Sequence, residues 1–255
     1  MRLTLLEKLL ATARTGAPVA VVTQLVTGAQ ALVSKASSTG DLTLSSDELS
    51  HVLQSLDDDR SGTLESATGP LFIEVWNPKP RLLVIGAVHT AQELVPLARA
   101  AGYAVTVIDP RTAFGTAARF PNTTIRNDWP DEAVPALAPD RRTAILTLTH
   151  DPKIDDPALE AALRSEAFYI GALGSRRTHA KRVARLAEAG FDAATINRIR
   201  GPVGLAIGAQ TPAEIAISII AEITAVLRRA PLAQRADPQN TNINQSDNSG
   251  NVQGG

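Results

Sequence analysis

The sequence predicts an α/β protein: a C-terminal Rossmann-like parallel sheet with helices on both faces, preceded by a small α+β unit. Three observations carry this prediction. From Arg81 onward, short apolar runs alternate with amphipathic stretches, the order of a parallel sheet and its crossover helices. The run "LLVIGA" is continuously apolar, as strands covered on both faces are. The stretch "NPKP", residues 77–80, places two prolines where neither helix nor strand continues, and so reads as a linker.

The elements follow in order. Leu3, Leu6, Leu9 and Leu10 recur at helical spacing, and Gly16 closes that helix. "PVAVVTQLV" and "GAQALVSKA" are β-rich and form a hairpin around Thr27 and Gly28. "SSDELSHVLQSL" is a serine-capped helix, and "LFIEVW" a strand. Residues 1–76 therefore make the small α+β domain, 77–80 the linker and 81–230 the Rossmann-like domain. In the latter, "LLVIGA" is a strand and "TAQELVPLARAAG" a helix ending at Gly102. "YAVTVID", "TAILTLT" and "AFYIGAL" are further strands. In "TPAEIAISIIAEITAVLRR", Thr211 caps, Pro212 takes the first turn and Glu214 completes a capping box. The apolar face of this last helix suits a homodimer. From about residue 231 the chain is rich in Asn, Gln, Ser and Gly, a composition that predicts a disordered tail to 255.

Bulk properties narrow the function. A net charge of -1 over 255 residues gives no electrostatic reason to bind nucleic acid or an anionic membrane. The absence of cysteine excludes disulfides, thiolate metal ligands and a cysteine nucleophile. The start, "MRLTLLEKLLATARTG", is broken by Glu7 and Lys8 and reads as a helix, not a signal peptide. The most apolar helix carries Glu214 and Glu222 and is too short to span a bilayer. A soluble, cytoplasmic protein is expected.

Four stretches can carry chemistry. In "GAVHTA", Gly86 permits the tight turn of a dinucleotide-binding unit, but Val88 stands where a second glycine would let a diphosphate approach. Asp109 ends the next strand, near the spacing of an acid that holds a ribose hydroxyl, with Arg111 two residues on. The alternative is a βαβ scaffold with no nucleotide. His89 lies in the same turn, at the carboxyl end of a strand, where α/β proteins bind ligands. In "LTLTHDPKIDDPAL", His150 and Asp151 follow a strand and can orient a ligand or transfer a proton. Asp155 or Asp156 reads as the cap of the following helix, with Pro157 in its first turn. In "YIGALGSRRTHAKRVARL", Gly171 and Gly174 flank a turn around Leu173, and Ser175 caps a helix. Arg176 and Arg177 then oppose the helix dipole, which suggests an anion in the crevice; a solvated basic face through Lys181, Arg182 and Arg185 is the alternative. "GPVGLAIGAQTPAEIA" is a glycine-rich loop ahead of a capped helix.

Together these stretches, with "RFPN", resemble the XdhC/CoxI family of accessory proteins for molybdenum hydroxylases such as xanthine dehydrogenase and carbon monoxide dehydrogenase. The resemblance covers about residues 80–229. It implies a Rossmann-like domain, a role in holding the molybdenum cofactor and supporting its maturation, and an apo-hydroxylase and other maturation proteins as partners. Two departures stand out. The family's usual "GAGHVA" is here "GAVHTA". The family's N-terminal "GSSPRxxGAKM" and "GGGC" segments correspond only to "VTGAQALVSKASSTGDL". The expected cofactor is molybdopterin or its cytosine dinucleotide, with FAD or NAD(P) as the alternative. Its contacts are Gly86, Ala87, Val88, His89, Asp109, Arg111, His150, Asp151, Gly171, Leu173, Gly174, Ser175, Arg176 and Arg177. No metal ligand and no catalytic residue is assigned.

Overall fold

A computed structural model describes residues 3–231, so the expected tail, but for its first residue, lies outside the described residues. The chain divides into two compact units, Met1–Pro80 and Arg81–Gly255.

In the first unit, α1 (Leu3–Arg14) precedes β1 (Val19–Gln24), β2 (Gln30–Val33) and β3 (Ser38–Gly40). Then come α2 (Ser46–Asp58), β4 (Gly62–Leu64) and β5 (Leu71–Trp76). The strands form an antiparallel sheet in the order β3-β2-β1-β5-β4. The expected hairpin is β1–β2, in which Val21 pairs with Leu32. The two-residue period of β1 sorts its side chains: Val19 and Val21 pack with Leu5 and Leu9 of α1, while Ala20 and Val22 pack with Val52 and Leu56 of α2. Ser45 caps α2 in a complete capping box with Glu48.

In the second unit, β6 (Arg81–Ile85), α3 (His89–Ala100), β7 (Ala104–Ile108), β8 (Thr124–Arg126) and α4 (Pro130–Ala136) come first. They are followed by β9 (Thr143–Thr147), α5 (Pro152–Leu163), β10 (Tyr169–Ala172) and α6 (Arg176–Glu188). The short α7 (Ala193–Ile196) and β11 (Ile199–Arg200) lead to α8 (Pro212–Leu227). Six strands lie in the order β11-β10-β9-β6-β7-β8, all parallel. The sheet faces divide by alternation. Leu82 and Val84 of β6 join Leu94 of α3 and Ile219 of α8 in one cluster. Leu83 and Ile85 join Val134 of α4, Leu159 of α5 and Leu186 of α6 in the other.

The predicted fold class is the observed one. The apolar residues Ala216, Ile219 and Ile223 of α8 are buried in the cluster that includes α3, while Ile217 is exposed. Among the described residues no helix is long and apolar enough to cross a membrane.

Candidate functional site

Strand order reverses between β6 and β9: the chain runs from β6 outward to β8, then returns to β9 and runs the other way. Ligands in open α/β sheets bind outside the carboxyl ends of the strands at such a point. Two loops meet there, Gly86–Val88 after β6 and Leu148–Asp151 after β9.

Gly86 has φ +106°, a conformation other residues rarely adopt. A Cβ placed there would also lie 3.2 Å from the Thr149 backbone nitrogen. The glycine thus serves both the turn and the close approach of the two loops. Val88 is the N-cap of α3 without a side-chain cap bond, is half-buried and packs against the α3–α8 cluster. His89 is exposed at the first turn of α3.

Asp109 differs from expectation. It is fully buried, and its carboxylate accepts four hydrogen bonds. These come from the Ala87 N–H at 2.8 Å, the Arg111 N–H at 3.0 Å, and Arg111 Nε and Nη2 at 2.9 and 2.8 Å. Burial alone would push this carboxyl up, but the Arg111 guanidinium and the two backbone donors outweigh it and hold it below the usual carboxylate range. With four donors already in place, Asp109 fixes the Gly86–Ala87 turn and Arg111 instead of reading a ribose. The same contact holds Arg111 strongly protonated.

A second arginine braces this turn, and sequence reasoning missed it. Arg119, in "RFPN", donates to the carbonyls of Ala87 and Phe114 and to Gln92 Oε1, each at 2.8 Å. Its guanidinium lies over Phe114 and Phe120. The quoted motif was the available signal.

On the β9 side, the helix start is also corrected. Asp151, not Asp155 or Asp156, is the N-cap of α5: its side chain accepts from the Lys153 N–H at 3.0 Å, and Pro152 takes the first position. Pro157 lies inside the helix. His150 is exposed with φ 64°, a left-handed conformation that strains a histidine. Asp155 holds that bend. It accepts from Thr149 Oγ1 at 2.7 Å and from the backbone N–H groups of Thr149 and His150 at 3.3 and 3.1 Å.

After β10, Gly174 has φ +142° and Ser175 caps α6 by accepting from the Thr178 N–H. Arg176 and Arg177 are exposed in its first turn, as expected. Gly171 is placed otherwise. It is buried inside β10, where a Cβ would come within 2.8 Å of Val203, Leu146 and Tyr169 side chains, so it serves packing. Leu173 is half-buried against the α3–α8 cluster, and its carbonyl accepts from Arg182 Nη2 at 3.0 Å. Arg182 itself is 2% exposed and stands 4.0 Å from Asp155. Burial pushes Asp155 up and pulls Arg182 down, the signature of a pair whose desolvation its attraction does not fully offset.

The carboxyl edge of the sheet therefore carries the N-termini of α3, α5 and α6, exposed His89 and His150, and the Arg176–Arg177 pair. This set suits an anionic ligand with hydrogen-bonding groups. Among the described residues no group of three His, Asp or Glu is arranged to hold a metal ion.

Comparison with known proteins shows the family. The family model of the XdhC Rossmann domain matches residues 82–223. The molybdenum cofactor insertion chaperone PaoD of Escherichia coli (strain K12) is 33% identical over 151 residues, 59% of this chain and 41% of its own length. A relative from Bacillus subtilis (strain 168), described as a probable xanthine dehydrogenase component, is 32% identical over 163 residues, 64% of this chain and 47% of its own. The chain thus spans less than half the length of these two curated relatives. A crystal structure described as a xanthine dehydrogenase from Bacillus halodurans superposes with a TM-score of 0.69 at 26% identity, covering 89% of this chain and 67% of that one. From residue 82 to residue 223 the family model accounts for nearly the whole of the parallel-sheet unit described above, and the chain belongs to the XdhC family.

Proposed function

We propose that this protein is an accessory factor in the maturation of a molybdenum hydroxylase, and that it holds the molybdenum cofactor at the carboxyl edge of the parallel sheet. The observation that carries the reading is the pairing of an anion-suited edge with a relative named as a molybdenum cofactor insertion chaperone. Molybdopterin and its cytosine dinucleotide are both anionic through their phosphates. In this reading Gly86, Ala87 and Val88 approach the ligand through backbone, with His89 beside them. Asp109 and Arg111 act from beneath by fixing the turn. His150 and Asp151 line the facing loop, and Gly174, Ser175, Arg176 and Arg177 meet the phosphate. The partners are the apo-hydroxylase and other maturation proteins, in the cytoplasm.

FAD or NAD(P) in the same crevice is a second reading. The packing of Val88 favours it, and the saturated carboxylate of Asp109 opposes it. The deciding experiment titrates molybdopterin and its cytosine dinucleotide against the purified chain and an Arg176→Ala/Arg177→Ala variant. Binding that the variant weakens by tenfold or more supports the proposal. Binding unchanged in the variant counts against it.

A further inference from the structure

Between α5 and α6 lies a pocket of about 340 Å³, within the range of about 300–1,000 Å³ usual for small-ligand sites. His150, Asp155, Arg177, Lys181, Arg182 and Arg185 contribute to its wall. Arg182 is the informative residue. Its Nη2 is spent on the Leu173 carbonyl, but its Nε and Nη1 are buried without a hydrogen-bond partner. Buried donors are nearly always satisfied, and a buried guanidinium presents a charge as well as hydrogens.

The nearby carboxylates do not meet this need. Asp156 is engaged by Arg185, through Nε at 2.5 Å and Nη2 at 2.9 Å. Asp155 accepts from Thr149 and His150 and reaches Arg182 only at 4.0 Å. Arg177 and Lys181, both exposed at the rim, have no ion-pair partner among the described residues. Four cations therefore face two carboxylates, and the surplus of two positive charges sits around donors that lack acceptors.

We propose that the α5–α6 pocket is a phosphate site, taking the dianionic end of a phosphate monoester or diphosphate between Arg182 at its base and Arg177 and Lys181 at its rim. An anion with several oxygens supplies acceptors to Arg182 and to the rim cations together, which a single carboxylate of this chain does not do. The pocket shares His150 and Arg177 with the crevice assigned to the cofactor, while Lys181 and Arg182 are its own.

Isothermal titration of the full chain with inorganic pyrophosphate tests it, using Arg182→Gln and, at the rim, Lys181→Ala variants. The wild-type chain should bind saturably. Each variant should lose tenfold or more in affinity, with circular dichroism confirming that the fold is kept. The rim variant alters only an exposed side chain, so it decides the matter if Arg182→Gln fails to fold. Absence of saturable binding by the wild-type chain overturns the proposal, as does full affinity in the rim variant or in a folded Arg182→Gln. A parallel titration with cytidine monophosphate separates the sources: tighter binding than inorganic phosphate marks a nucleotide phosphate, and equal binding a bare one, and either upholds the site. Lys181 and Arg182 are not among the residues assigned to the sheet crevice, so loss of pyrophosphate affinity in their variants reads this pocket, and failure of molybdopterin to bind would not remove it.

Discussion

Replacing Asp109 by asparagine should destabilise the second unit by about 2–4 kcal/mol. The carboxylate accepts two bonds on each oxygen, and on each oxygen one donor is a backbone N–H. An asparagine keeps one acceptor oxygen and turns the other into an amide donor. Whichever way it is flipped, one backbone N–H and one Arg111 nitrogen then face a donor. A buried, unsatisfied backbone N–H costs about 1–3 kcal/mol, and a lost charge-assisted bond about 1.5–3 kcal/mol. The Arg111 side chain is 35% exposed, so water recovers part of the second loss. The assay exploits the two tryptophans: Trp76 lies in the first unit and Trp129 in the second. In a Trp76→Phe background, Trp129 fluorescence reports urea unfolding of the parallel-sheet unit. With m-values of about 1–3 kcal/mol/M, the midpoint should fall by about 1 M or more at unchanged m. The sign of the pH dependence follows from the lowered pKa of Asp109. Its contribution is present above the unfolded value, about 3.9, and is lost as pH falls through the lower folded value. The gap between the two proteins should therefore close in acid. An unfolding free energy within about 0.5 kcal/mol of the parent at pH 7 would refute the reasoning.

Three further outcomes are expected. Asp155→Ala should cost about 3–5 kcal/mol, because it strands a buried Arg182 and frees the Thr149 and His150 donors; adding Arg182→Met should cost less than the sum of the singles, as a double-mutant cycle in urea will read. His150→Gly should relieve the left-handed strain and stabilise the unit by up to about 1 kcal/mol while weakening cofactor binding, a combination that thermal unfolding and titration measure together. Thr211→Ala removes the side-chain acceptor of the Glu214 N–H at the start of α8 and should cost about 1 kcal/mol in the same urea assay.

Local signals in the sequence were strong where they were continuous. The apolar run of β6, the amphipathic pattern of α3 and the caps Ser175 and Thr211 needed no distant partner to be read, and the sheet class followed from their alternation. The start of α5 was misread because "DP" occurs twice, at Asp151–Pro152 and Asp156–Pro157, and both pairs carry the same capping chemistry. Burial chooses between them: Asp155 must face inward to hold the Thr149–His150 bend. Arg182 was hidden for a related reason. In "HAKRVARL" it reads as one more solvated cation, and only its encounter with Asp155, 27 positions earlier on another helix, makes it buried. Asp109 was found, but its direction was not, since spacing gives no account of which donors reach a carboxylate first. β8 and β11, three and two residues long, are too short for any period to register.

The most direct test of the account is thermal stability of the purified chain against molybdopterin, its cytosine dinucleotide, FAD, NAD+ and NADP+. A ligand bound only by the folded state at about a hundred times its dissociation constant adds roughly 2.7 kcal/mol. The account predicts that stabilisation for a molybdopterin species, and its loss in Arg176→Ala/Arg177→Ala. Stabilisation by FAD or a nicotinamide dinucleotide alone, or by no member of the panel, would contradict it.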